Sequence, residues 1–167
     1  MEPSNLVEEQ QNSLVISIDA MGGDKGPTVI IDGIVKSLLK HPDTFFIIHG
    51  NKENLSHLIG KQSNIKSKCT LVHCKEVVTM DDKPSQVIRN GSNTSMWSTI
   101  ESVKQKKASI AISCGNTGAL MALSMVRLRK LPGVIRPAIA CLWPSKNKHG
   151  LNIVLDVGAD VKADAVD

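Results

Sequence analysis

Residues 14–27 read Leu-Val-Ile-Ser-Ile-Asp-Ala-Met-Gly-Gly-Asp-Lys-Gly-Pro, and their order decides the fold class. A short β-branched run, Leu14 to Ile18, leads into a glycine-containing bend, Asp19 to Asp24. Pro27 then stands where a first helical residue is favoured, because its missing N–H is no loss there. From that point Ile30, Ile31, Ile34, Leu38 and Leu39 recur at three- and four-residue spacing until His41-Pro42 stops the period. Strand, loop and helix follow one another as in a βα unit.

The same grammar continues along the chain. Phe45 to His49 is strand-like, Gly50-Asn51 turns, and Leu55 to Ile59 continues a short helix. Thr70 to His73 is a third strand, and Pro84 marks another helix start after Val77 to Met80. Ser95 to Lys106 reads as a helix with Trp97, Ile100 and Val103 on one face, and Ala108 to Ser113 as a buried strand. Gly115 to Gly118 opens an apolar helix through Leu120, Met121, Leu123 and Val126, ended by Pro132-Gly133. Ala138 to Trp143 and Leu151 to Val157 are strands around the polar turn 144–150, whose direction, hairpin or crossover, the sequence leaves open. Alternating strands and helices predict an α/β fold, a three-layer α/β/α sandwich on a mostly parallel sheet. In such sheets ligands sit beyond the carboxyl ends of the strands. Residues 1–12 have no apolar period and read as a disordered extension, with residues 13–167 as one domain. A further helix is expected after the last strand, so the sheet is expected to be incomplete at the carboxyl end, with an open edge and an uncovered apolar face.

Composition narrows the function classes. The 167 residues are 41% apolar and only 2% aromatic, so the core is expected to consist of Ile, Val, Leu, Met and Ala. A formal charge of +4 with two Phe, two Trp and no Tyr supplies neither the basic stripe nor the stacking aromatics of a nucleic-acid binder. Cys69, Cys74, Cys114 and Cys141 form no metal-ligand spacing, and reduced, buried thiols are expected. No secretory signal and no run of about 20 apolar residues is present, which reads as a cytoplasmic protein.

Chemistry is sought in the loops that follow strands. Gly115, Asn116, Thr117 and Gly118 form a glycine-rich turn at a helix start, where backbone N–H groups and the helix dipole favour an anion. Read alone, the same turn equally serves a helix that binds nothing. It is neither a Walker A loop nor a dinucleotide fingerprint. Asp19, Gly22, Gly23 and Asp24 are a second candidate, an acid at a strand end beside glycines that admit a close ligand; helix capping is the alternative for Asp24. Lys83 and Ser85 flank Pro84 at a further helix start. Asp156, Gly158 and Asp160 follow the last strand and suit hydrogen bonding better than metal binding, since paired carboxylates repel an anion. Cys114 lacks a neighbouring base and reads as a buried thiol.

Asp19-Ala-Met-Gly-Gly-Asp24, Met80-Asp-Asp-Lys-Pro-Ser85, Gly115-Asn-Thr-Gly-Ala-Leu120, Arg136-Pro-Ala138 and Leu155-Asp-Val-Gly-Ala159 resemble, in this order, the signature segments of the phosphate acyltransferase (PlsX-type) family. The resemblance covers Leu14 onward and corresponds to the amino-terminal half of that family. It implies a fold related to isocitrate and isopropylmalate dehydrogenases and transfer of an acyl group from acyl carrier protein to inorganic phosphate in phospholipid synthesis. No metal or organic cofactor is implied. It also implies a homodimer and a peripheral contact with the cytoplasmic face of the membrane. Lys83, Asn116 and Asp19 become candidate catalytic residues, and Gly22, Gly23, Asp24, Ser85, Gly115, Thr117, Gly118 and Asp156 candidate substrate-binding ones. Arg127, Arg129, Lys130 and Arg136 are either a docking surface for the acidic carrier or solvated surface. The chain departs from the family in having Asp160 where Asn is usual and Cys114 where Ala is common. Two alternatives stand beside this reading: a non-catalytic remnant of the enzyme, and a phosphotransacetylase-like enzyme acting on acyl-coenzyme A.

Overall fold

A computed structural model describes residues 13–62, 65–134 and 137–156. The opening stretch forms strand β1 (Val15–Asp19) and helix α1 (Gly26–Lys40), the latter with Pro27 in its first turn. There follow β2 (Phe45–Gly50), α2 (Lys52–Gly60), β3 (Cys69–His73), α3 (Pro84–Asn90), α4 (Ser95–Lys104), β4 (Ile110–Ser113) and α5 (Thr117–Leu128). Side-chain caps fix the starts of α2 and α4 by satisfying N–H groups that have no partner within the helix. Asn51 Oδ1 accepts from Asn54 N–H of α2 at 3.0 Å, and Thr94 Oγ1 from Trp97 N–H of α4 at 3.3 Å.

β1 to β4 form one parallel sheet in the order β3-β2-β1-β4. The chain winds from β1 outward to β2 and β3, then crosses back to place β4 on the other side of β1. The direction of winding therefore reverses between β1 and β4, and the crevice beyond their carboxyl ends is where such sheets bind ligands.

The two faces of the sheet differ in chemistry. Ile18, Phe46 and Ile48 lie on one face and pack with Ile31 and Ile34 of α1 and Leu55 and Ile59 of α2 in a single apolar cluster. Full burial of each such side chain stabilises by roughly 1.5–3 kcal/mol. On the other face, which Asp19 shares, Ser17 and His49 meet α4. Thr99 and Ser102 of α4 are buried there, while its Met96 and Ile100 point into a second cluster with Val87 of α3 and Ala119 and Leu123 of α5. Ile100 and Trp97, expected on one face, both pack into this cluster, so α4 turns its apolar stripe to the neighbouring helices and a Ser/Thr stripe to the sheet. Leu39, expected on the buried side of α1, is 77% exposed because Ile31, Ile34 and Leu38 occupy the face turned to the cluster and Leu39 stands one residue, about 100°, off it.

Among the described residues β4 is the last strand on its side of the sheet, and its Ile110 and Ile112, in register with Ile16 and Ile18, are 43% and 40% exposed. The residues after Leu128 form a second compact unit. It contains an antiparallel hairpin, β5 (Ala140–Pro144) and β6 (Leu151–Leu155), which resolves the open question of strand direction. The polar turn is closed by Asn147, whose amide Nδ2 donates to Leu151 O at 2.8 Å. Residues 1–12, Arg136, Gly158 and Asp160 lie outside the described residues. The four cysteines are free; Cys74 is buried, but Cys114 and Cys141 are exposed, against the expectation of buried thiols. Cys114 stands in the loop just past the end of β4, a strand whose Ile110 and Ile112 are themselves exposed.

Candidate functional site

The loop after β1 and the loop after β4 meet at the reversal point. Asp19 is 1% exposed, and its carboxylate is fully engaged. Oδ1 accepts from the N–H groups of Met21 and Gly22, both at 3.1 Å, and Oδ2 accepts from Ser113 Oγ at 2.8 Å. Ser113 Oγ in turn accepts from Gly115 N–H at 3.1 Å. One carboxylate therefore ties the bend of β1 to the glycine turn of β4. The fit leaves no room: a Cβ on Gly22 would lie 2.6 Å from Asp19 Oδ2 and 2.9 Å from Gly115 N. Gly23 has φ +91°, a conformation that favours glycine, and a Cβ there would lie 2.8 Å from the Cys114 carbonyl oxygen.

Asn116 joins the third segment to these two. Its amide Nδ2 donates toward the carbonyls of Thr79, Met80 and Asp82 at 3.2, 3.1 and 3.0 Å, and its Oδ1 accepts from Ala119 N–H at 3.0 Å, capping α5. The 79–82 loop is closed on itself by Asp82, whose Oδ2 accepts from Thr79 N–H at 2.7 Å and Thr79 Oγ1 at 2.9 Å. Pro84 reaches Gly118 closely, 3.2 Å from where a Cβ would stand. Residues 19–24, 79–85 and 113–118 therefore form one contiguous rim. The side chain of Asn116 is spent on that assembly, whereas the N–H groups of Asn116, Thr117 and Gly118 make no hydrogen bond among the described residues. They lie at the amino end of α5, where the helix dipole adds partial positive charge.

The remaining sequence candidates divide. Lys83 and Ser85 are exposed on either side of Pro84, and Asp24 is exposed before α1 without capping it. Thr117 is exposed at the start of α5. Asp156 belongs to the second unit, where its Oδ1 accepts from Ile139 N–H at 2.6 Å and its own N–H donates to Ile139 O at 2.8 Å. Arg127 is held by Glu101, Nη2 to Oε2 at 2.6 Å, and lies 4.7 Å over the Trp97 ring. The Arg127 hydrogen bond holds the Glu101 carboxyl below its usual range.

Two groups stand outside the sequence candidates. Ser113 reads in the sequence as a strand end, although it links Asp19 to Gly115. His49, 1% exposed, accounts for the polar layer under the site. Ser17 Oγ donates to Thr99 O at 3.0 Å, so it accepts the Nε2 proton of His49 at 2.9 Å, leaving Nδ1 to accept from Ser98 Oγ at 2.8 Å. Burial lowers the imidazole from 6.5 to about 4, with the Asp19 carboxylate opposing. His49 is therefore neutral near pH 7. The signal for this layer lay in Ser95, Thr99 and Ser102, a polar stripe at helical spacing.

Among the described residues no group of His, Cys, Asp and Glu could hold a metal ion. A cavity of about 480 Å³ adjoins the 79–82 loop, and one of about 290 Å³ adjoins the end of β3; neither is lined by residues 19–24 or 115–118.

Comparison with known proteins supplies the last observation. Phosphate acyltransferase of Jannaschia sp. (strain CCS1) is 59% identical over 162 residues, covering 97% of this chain and 44% of the relative. That of Paracoccus denitrificans (strain Pd 1222) is 59% identical over 156 residues, covering 93% and 42%. That of Ruegeria sp. (strain TM1040) is 60% identical over 153 residues, covering 92% and 41%. The chain thus spans less than half the length of these curated relatives. The fatty acid synthesis protein family matches residues 14–167, and with that match over a parallel sheet bearing these loops, the chain belongs to this family, that of the PlsX-type phosphate acyltransferases.

Proposed function

We propose that the rim formed by residues 19–24, 79–85 and 113–118 serves an acyltransferase reaction in which acyl carrier protein thioester and inorganic phosphate give acyl phosphate and free carrier. The observation that supports this most is the union of three glycine- or proline-containing loops at the reversal point, with uncommitted N–H groups at the start of α5. The names of the relatives supply the reaction class.

In this reading a phosphate oxygen attacks the thioester carbonyl carbon. The carbonyl oxygen takes up negative charge, the carbon–sulfur bond then breaks, and the carrier leaves as a thiolate that is protonated by solvent. Phosphate is itself the nucleophile, so the protein has only to hold two reactants together and stabilise an oxyanion. The N–H groups of Gly118, Thr117 and Asn116 face that charge, and Lys83 and Ser85 hold the phosphate from the opposite loop. Asp19 and Asn116 act as positioning residues, because their polar atoms already bind protein. Gly22, Gly23 and Gly115 allow the loops to close, and Asp24 and Thr117 border the entrance. Asp156 belongs to the second unit, where it is bonded to Ile139. A homodimer and a peripheral contact at the cytoplasmic membrane face belong to the same reading. No helix among the described residues is long and apolar enough to cross a membrane.

The test uses labelled phosphate with acyl carrier protein or acyl-coenzyme A as donor, on this chain and on a full-length relative. Acyl phosphate from the carrier thioester supports the reading; product from coenzyme A alone favours a phosphotransacetylase-like enzyme; no product from the full-length relative with either donor removes the reading. Lys83→Ala at the matching position of the relative should lower kcat/KM for phosphate by about tenfold or more, the cost of one charged hydrogen bond.

A further inference from the structure

The two cavities beside the rim contain polar groups that the proposed reaction does not use. The smaller, about 290 Å³, opens at the carboxyl end of β3 and is lined by His73, Lys75, Ser92, Asn93 and Ser98, among others, with no carboxylate in its lining. The larger, about 480 Å³, runs along α3 and is lined by Val77, Val78, Val87, Gln86, Asn90 and Asp82, with Glu76 at its side. Lys75 and Thr94 line both. The two cavities share these walls and are read together as one trough, whose far end reaches Asp82, the carbonyl of which accepts from Asn116 Nδ2 at 3.0 Å.

The chemistry is graded along this trough. Lys75 makes no ion pair among the described residues, and the side chains of Ser92 and Asn93 make no hydrogen bond there. In the smaller cavity this unspent cation stands with neutral donors and suits a phosphate ester, the carboxylates of Glu76 and Asp82 lining only the larger one. Farther along, Gln86 and Asn90 stand four residues apart on one face of α3, their amides also unspent, beside three valines. A thin ligand with amides and methyl groups matches that part. The trough then ends at the rim. The geometry points to a binding channel for a 4′-phosphopantetheine arm, its phosphate by Lys75, its amides along Gln86 and Asn90, and its sulfur directed to the loop held by Asn116. β3 lies two strands from β1, roughly 10 Å, a span that an extended arm covers.

This inference rests on the reading of the rim as a site for a thioester donor, and it goes beyond it in placing the donor. Carrier proteins and coenzyme A both present this arm, so the chemistry is shared between them. Amide NMR of the full chain, titrated with pantetheine 4′-phosphate and separately with unphosphorylated pantetheine, reads the site directly. The phosphorylated probe should shift residues 73–75 and 86–94 and bind at least tenfold more tightly, and Lys75→Glu should abolish that preference. Ser92→Asp, on an exposed position, is a second variant that should do the same without loss of fold. Apo carrier, holo carrier and coenzyme A then separate the sources: Lys75-dependent binding of the holo carrier or of coenzyme A supports the channel and names its natural occupant. Equal binding of apo and holo carrier, with no shift at 73–94 from either small probe, overturns it. Inorganic phosphate, run alongside, should shift Thr117 and Gly118; if it does while pantetheine phosphate leaves 73–94 unmoved, the rim retains its proposed role and the channel is lost.

Discussion

The sheet has one oily face and one hydroxyl-bearing face, and the two perform different tasks. Under α1 and α2, Ile18, Phe46 and Ile48 gain free energy simply by leaving water. Under α4, Ser17, His49, Ser98 and Thr99 gain little net energy from their hydrogen bonds but must all be satisfied at once, which fixes orientation. The residue that bridges β1 and β4 at the rim, Asp19, emerges from the second face. Stability is thus concentrated on one side of β1 and positional precision on the other.

That division is open to attack in order of effect. Phe46→Ala should cost about 4 kcal/mol, a drop visible in the urea midpoint while the phosphate-induced shifts of any remaining folded protein stay as before. A loss under about 1 kcal/mol would mean that the oily face is not the main source of stability. The His49 side should respond to acid instead. Its folded value, about 4, lies below the ordinary 6.5, so the unfolded chain takes up the proton first. Stability from this group is complete above pH 6.5, declines as pH falls toward 4, and loses roughly 3 kcal/mol across that window. Urea melts of the protein and of His49→Gln at pH 7, 5.5 and 4 isolate it: the difference between the two should shrink as pH falls, and a constant difference would refute the assignment. Gly22→Ala should cost roughly 2 kcal/mol through overpacking, and should also erase phosphate shifts at Thr117 and Gly118, since the new methyl enters the space of Asp19 Oδ2 and Gly115 N. Ser113→Ala should cost about 1–2 kcal/mol by leaving a buried carboxylate oxygen without its donor. It should weaken phosphate binding while leaving the melts of Phe46→Ala additive with its own, as expected of sites with no shared partner.

The oily face was readable in the sequence because its signal is periodic. Ile31 and Ile34 at helical spacing and the β-branched run from Val15 require nothing but counting, and the alternation of runs gave the parallel sheet. The rim was readable as three separate loops, since glycine and Pro84 mark bends. Their mutual contact was not, because the Asp19–Ser113 bond joins residues 94 positions apart. Asn116 illustrates the limit most clearly. A polar side chain in a glycine loop suggests a ligand, yet here it faces inward and holds the 79–82 carbonyls, and only the crossing of α5 past that loop decides it. The hydroxyl-bearing layer was hidden because Ser and Thr at helical spacing usually denote a solvated face.

The crowding at the bend of β1 would be visible in a library of random codon changes. Gly33 and Gly60 have nothing within 4 Å of an added methyl and no left-handed backbone, so alternatives there should survive selection. At Gly22 every missense codon puts carbon into occupied space, and the column for that position should be empty, a mark of close assembly that is independent of any ligand.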